Sequence, residues 1–147
     1  MIRKTLFLLA VFMLVTTISC KKKELPAVVK MKFAKMDFSK QTHDFGTIKE
    51  GDKVKTDFDF INTGETALII TQASGSCGCT IPEYPREAIK PGEKGVVKIS
   101  FDSNGKSGAQ DKTITIISNT YTGIETLGVK ANVTPKSGAT QNKQKQK

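Results

Sequence analysis

The chain has 147 residues, 37% hydrophobic and 7% aromatic, with a formal net charge of +9. That length suits one domain of about 100 residues plus tethers, and the charge belongs to the ends. Residues 25–135 hold 14 basic against 13 acidic side chains, which argues against a nucleic-acid surface, because such a surface gathers basic charge on the folded part itself.

In chain order, Arg3 and Lys4 form a positive n-region, Leu6 to Val15 an apolar h-region, and Thr16-Thr17-Ile18-Ser19 leads into Cys20. The segment is too short and too closely followed by charge for a spanning helix, and reads as an export signal over residues 1–19. Ser19 before Cys20 resembles a lipobox, although Thr17 stands where the commonest lipobox has Leu. Cys20 is then the lipidation site and the first mature residue. The plainer alternative is an ordinary signal peptide with Cys20 incidental.

Residues 20–31 read as the lipidated Cys and a basic tether, with Pro26 discouraging helix. Lys21, Lys22 and Lys23 fall beside the acyl chains, each worth about 1 kcal/mol near anionic headgroups. A single acyl chain binds marginally, so several chains or a chain plus a basic patch make a stable anchor. Lys21 is not the Asp that retains lipoproteins at the inner membrane. By resemblance to sorting patterns, the expected address is the cell envelope, at the outer membrane facing the periplasm.

From 32 to 135 the pattern is period-two strands separated by turn chemistry, without an amphipathic helix. Lys32 to Phe38 and Thr42 to Ile48 are extended stretches. Val54, Thr56, Phe58 and Phe60 then alternate with Lys55, Asp57 and Asp59, one face buried and one wet. Asn62 to Glu65 turns into Thr66–Ala73, and a loop is expected from Ser74 to Lys90. Pro91-Gly92 is placed for a tight turn before Val97, Ile99 and Phe101. A loop from Asp102 to Gln110, a strand at Ile114 and Ile116, a turn over Ser118–Gly123 and a strand from Ile124 to Val133 complete the domain. Residues 136–147 lack large apolar residues and read as a disordered basic tail.

About seven short strands at regular spacing predict an all-β protein, an immunoglobulin-like two-sheet antiparallel sandwich, with a small closed barrel as the rival. The antibody Cys…Trp…Cys core is absent, since the chain has no Trp.

Ser74-Gly75-Ser76-Cys77-Gly78-Cys79-Thr80 is the one stretch with chemical potential. Exported cysteines this close can form a local disulfide, Gly78 supplying unusual backbone angles. They can also serve thiol–disulfide exchange or capture a soft metal such as Cu(I). Zinc fits poorly, because His43 is the one His available as a further ligand. His43 reads first as a surface or half-buried residue bonded to its neighbours. Catalysis has little support: there is no G-x-S-x-G elbow, one His in all, and Asp57 and Asp59 belong to a solvated face.

His43-Asp44-Phe45-Gly46-Thr47-Ile48, Phe58-Asp59-Phe60-Ile61-Asn62-Thr63-Gly64, Ser76-Cys77-Gly78-Cys79-Thr80-Ile81-Pro82 and Ile89-Lys90-Pro91-Gly92-Glu93-Lys94-Gly95 occur in that order. Together they resemble the bacterial family called domain of unknown function 1573, over about residues 37–133. The resemblance implies an exported, often lipidated protein with an Ig-like sandwich similar to major sperm protein and Hydin domains. It implies no agreed activity, and it makes Cys77-Gly78-Cys79 a family feature without an assigned role.

The expectation is therefore a non-catalytic envelope lipoprotein, with no cofactor. Its expected partners are the bilayer, through acylated Cys20, and an envelope protein met at a sheet edge. The rival is a thiol function at Cys77 and Cys79.

Overall fold

The computed structural model describes residues 31–136. The signal, the lipidation site Cys20, residues 21–30 and the tail from 137 lie outside the described residues. Eight strands form: β1 (Met36–Phe38), β2 (Thr42–Lys49), β3 (Lys53–Asn62), β4 (Ile70–Gly75), β5 (Thr80–Glu83), β6 (Lys94–Asp102), β7 (Gly108–Ser118) and β8 (Ile124–Thr134). They make two four-stranded sheets, β1-β3-β6-β5 and β2-β8-β7-β4.

The alternation in β3 does what its side chains require. Thr56, Phe58 and Phe60 are buried, while Lys53, Lys55, Asp57 and Asp59 face water. On the wet face Asp57 lies opposite Lys98, and Lys53 pairs with Asp102 at 3.3 Å. The inner faces of both sheets close a core around Phe58, Leu68, Val97, Ile99, Ile114, Ile116 and Leu127. A second cluster, Ile48, Phe101, Ala131 and Val133, fills the end of the sandwich where β8 finishes. Of the apolar residues in the first extended stretch, Met36 is buried, Phe38 half-buried, and Phe33 at the surface.

The sandwich follows expectation with three differences. β5 lies inside the stretch expected to be loop. It is four residues long and contains Pro82, which cannot donate to a ladder and hides the strand from pattern reading; it survives because β5 is an edge. β7 begins at Gly108 rather than after Gln110, Gly108 taking φ of +69° to enter the strand. Finally β2 pairs with β8 in parallel, so that sheet is mixed rather than wholly antiparallel. The chain reaches β8 from β2 only after five intervening strands, and a connection that long is free to set either direction. The Pro91-Gly92 turn forms as expected, with Gly92 at φ +83° and Glu93 N–H donating to the Lys90 carbonyl at 3.0 Å.

Candidate functional site: the Cys77–Cys79 loop

β4 belongs to one sheet and β5 to the other, so residues 76–79 carry the chain across the edge of the sandwich. Backbone hydrogen bonds hold this short bridge on both sides. Ser76 N–H donates to the Thr113 carbonyl at 2.8 Å, and Thr113 N–H donates to Ser76 Oγ at 3.2 Å, extending the β4–β7 ladder. Thr80 N–H donates to the Cys77 carbonyl at 3.1 Å, closing a four-residue turn. Asp102 N–H reaches the Cys79 carbonyl at 2.9 Å and ties the turn to the end of β6.

Within this frame Cys77 and Cys79 are joined by a disulfide, their Cα atoms 5.2 Å apart, inside the usual range for such bridges. Both residues are half-buried, and Cys79 packs on the cluster of Ile48, Phe101, Ala131 and Val133. The Thr80 hydroxyl sits under the bridge, 3.6 Å from Cys77 Sγ and 3.9 Å from Cys79 Sγ, on a buried side chain. As a disulfide the pair offers no thiolate. Reduced, it would present two thiols beside a hydroxyl able to donate to a thiolate.

The glycine that matters here is not the one between the cysteines. Gly78 has no positive φ, and a Cβ placed on it would meet nothing within 4 Å. Gly75 is the constrained position: its Cβ would stand 2.3 Å from the Thr80 carbonyl oxygen and 2.8 Å from Thr80 Cβ. The close approach of β4 and β5, rather than the small ring, demands glycine. The sequence puts Gly75 and Thr80 in the same stretch as the cysteines but gives neither a role, because strand β5 must be known before they face each other.

His43 is elsewhere. It lies on β2 opposite Val129, which is opposite Lys112 on β7, whereas the loop follows β4 at the other edge of the same sheet. Three strand spacings separate those edges, about 14 Å. The imidazole stacks edge-on against Phe45, centroids 4.6 Å apart. Desolvation lowers its pKa from 6.5, Lys40 lowers it further, and Asp44 opposes them. Among the described residues no three His, Cys, Asp or Glu side chains gather as a metal site would require.

Asn62, the last residue of β3, is a buried hub. Its amide donates to the Thr66 and Ile89 carbonyls, both at 2.9 Å, and its Oδ1 accepts from Gly64 N–H at 3.0 Å and Lys35 N–H at 3.3 Å. One side chain thereby holds three loops at the end of the sandwich where β1 pairs with β3.

Residues 36–133 match the family described as "protein of unknown function (DUF1573)". No curated protein matches the chain. Among solved structures it is similar to a protein of unknown function from Porphyromonas gingivalis W83, with TM-score 0.61 and 23% identity over 74% of this chain and 51% of that one. The chain thus spans about half the length of that protein. It is also similar to the ASH/PapD-like domain 7 of human CEP192, with TM-score 0.59 and 10% identity over 76% and 94% of the two chains. The secreted serine protease VesC of Vibrio cholerae gives TM-score 0.53 and 13% identity over 67% of this chain and 23% of that one. At these identities the likeness is one of fold.

Proposed function

The chain belongs to the DUF1573 family of proteins of unknown function, and from that premise we propose that it is a cell-envelope lipoprotein whose Ig-like domain binds or helps assemble another envelope protein without catalysing a reaction. Anchorage through acylated Cys20 at the outer membrane, facing the periplasm, belongs to the same reading; it rests on the signal, the lipobox-like Ser19-Cys20 and the lysines that follow.

The observation that carries the binding reading is the state of the four sheet edges. β1 has three residues. β5 has four and contains Pro82. β4 has six residues, and on it the Tyr84 hydroxyl donates to the Thr71 carbonyl at 3.2 Å, taking one acceptor of that strand. β2 is different: eight residues long, at the end of its sheet, and paired on its β8 side only among the described residues. A long edge strand is the physical route by which an extended segment joins a sheet. A bulge between Asp44 and Thr47, with Gly46 at φ +68° and its N–H bound by Asp44 Oδ1 at 2.8 Å, curls the strand against indiscriminate pairing.

The test is photo-crosslinking in the envelope from exposed Thr47 on β2, with exposed Lys55 on β3 as control. A discrete adduct from 47 alone, retained when Cys77 and Cys79 are both Ser, supports the reading. Equal labelling from both positions, or an adduct lost with the cysteines, sinks it.

A second reading is favoured by one observation, the buried Thr80 hydroxyl lying near both sulfurs. It assigns Cys77 and Cys79 to thiol–disulfide exchange or, when reduced, to Cu(I). Thiol trapping and intact mass of protein from the envelope, with and without Cu(I), distinguish it. A readily reduced pair or stoichiometric copper favours this second reading, and a fully oxidised, metal-free pair favours the first.

A further inference from the structure

Seven large apolar side chains are exposed among the described residues, and six of them gather at one end of the sandwich: Met31, Phe33, Ile69, Ile117, Tyr121 and Ile124. Tyr121 is 79% exposed, Met31 70% and Ile124 56%. Scattered exposed hydrophobes are ordinary, but a gathered set marks an interaction surface. Several contacts place these residues at that end. Ala34 bridges to Thr120, and the Phe33 ring meets Tyr121 edge-on with centroids 5.1 Å apart. Met31, Phe33 and Tyr121 line one open groove together with Thr63 and Glu125. Ile117 and Ile124 face each other across β7 and β8, and in the adjoining turn Asn119 N–H donates to the Ile69 carbonyl at 3.2 Å while Ile69 N–H donates to Asn119 Oδ1 at 2.8 Å. The disulfide is directed to the opposite end, where Cys79 packs against Phe101 and Val133.

This is also the end at which residue 31 enters the fold. Eleven residue steps separate Cys20 from Met31, which span at most about 40 Å. A tether that short holds the domain near the surface at an effective concentration of order mM, so a patch of weak intrinsic affinity would still dock. The composition fits a headgroup region: Tyr and Phe place amphipathic or apolar rings at a membrane–water boundary. Exposed Lys35 flanks the patch, and Lys21, Lys22 and Lys23 precede it, matching anionic headgroups. Carboxylates at this end have local partners: Glu65 lies 4.0 Å from Lys32, Glu125 accepts from Thr122 at 3.0 Å and Thr120 at 3.4 Å, and Glu93 accepts from Lys90 N–H at 2.9 Å.

We propose that this end of the sandwich docks on the bilayer leaflet that holds Cys20, with Met31, Phe33 and Tyr121 at headgroup level and the disulfide end directed away from the membrane. The inference rests on lipid attachment at Cys20, and its test separates the two. The chain has no Trp, so Tyr121→Trp makes a single reporter, Ile124→Trp a second within the patch, and Ile81→Trp on β5, 58% exposed, a control outside it. Each full-length acylated protein is reconstituted on phosphatidylethanolamine–phosphatidylglycerol vesicles with and without brominated acyl chains. Docking predicts blue-shifted emission at 121 and 124 and a loss of about half the intensity to brominated lipid, with the reporter at 81 unchanged. A chain that does not float with the vesicles overturns both the anchor and the docking. A chain that floats while its reporter at 121 stays red and unquenched overturns docking alone. Blue-shifted but unquenched emission shows the patch covered by protein, a second copy or a partner, and likewise overturns it.

Discussion

The backbone of Gly75 at the end of β4 approaches Thr80 at the start of β5 so closely that a Cβ at 75 would lie 2.3 Å from the Thr80 carbonyl oxygen. The atom in the way is backbone, held by the pairing of Thr80 with Phe101, and it cannot rotate aside. Gly75→Ala is therefore expected to destabilise the domain by about 1–3 kcal/mol, while Gly78→Ala stays within about 0.5 kcal/mol of the parent. Urea denaturation of the two variants checks this. Equal effects would show that the crossing is not the constrained element.

The two cysteines should not be equivalent on substitution. The bridge encloses three residues, so the chain-entropy contribution is at most about 1.5 kcal/mol. Cys77→Ser is expected to lose no more than that. Cys79→Ser also places a hydroxyl against Ile48, Phe101 and Val133 and should lose about 1 kcal/mol more, unless the hydroxyl finds a partner. Thermal unfolding of both variants, against a reduced parent, measures the difference.

Phe60 lies directly across from Gly95, and a Cβ at 95 would stand 2.3 Å from the ring tip. The ring is buried and has little room to retreat. Gly95→Ala is expected to cost about 1–3 kcal/mol. In a Phe60→Leu background the cost should fall by about 1 kcal/mol, because the overlapping atoms are gone. A double-mutant cycle by chemical denaturation gives the coupling; additive effects would contradict it.

Asn62→Ala strips the Thr66 carbonyl of its Asn62 donor, removes one of two donors from the Ile89 carbonyl, which keeps Leu68 N–H at 2.8 Å, and leaves Lys35 and Gly64 N–H without their acceptor. Buried groups left unpaired cost about 1–3 kcal/mol each, and relaxation recovers part of that. The expected loss is about 2–4 kcal/mol in urea denaturation. Amide exchange should quicken first at Lys35 and Gly64.

His43 supplies the pH dependence near neutrality. Its folded pKa lies below 6.5, chiefly through desolvation and then Lys40. Above 6.5 both states are neutral and the contribution is fully present. As pH falls through 6.5 the unfolded chain takes the proton first, so stability declines until the folded-state pKa is passed. Asp102 acts lower: its pKa is held under 3.8, first by the Asn104 N–H and then by Lys53, so its contribution is present above that value and lost as acid protonates it. His43→Gln should flatten the stability profile between pH 7.5 and 5.5 while leaving the acid limb in place. An unchanged profile would remove His43 as the cause.

Much of this architecture is legible from local chemistry. The alternation Val54–Phe60 announces β3, Pro91-Gly92 its turn, and the four ordered motifs the family. Those signals are local, set by side-chain period and backbone preference. Others mislead for equally physical reasons. Pro82 disguises β5, and Gly78 draws attention because it stands between the cysteines, whereas steric need falls on Gly75. Asn62 resembles an ordinary turn residue until its four partners are placed around it.

By itself the sequence determined the class of fold, the family, and the nearness of Cys77 to Cys79, since two residues apart the sulfurs have few places to go. Tertiary structure alone decided which strands lie at the edges, that β2 runs parallel to β8, that His43 sits about 14 Å across the sheet from the loop, and that Met31, Phe33 and Tyr121 share one end with Ile124. Period and propensity act over a few residues, whereas edge, register and end are set by pairings between residues tens of positions apart, which no local pattern encodes.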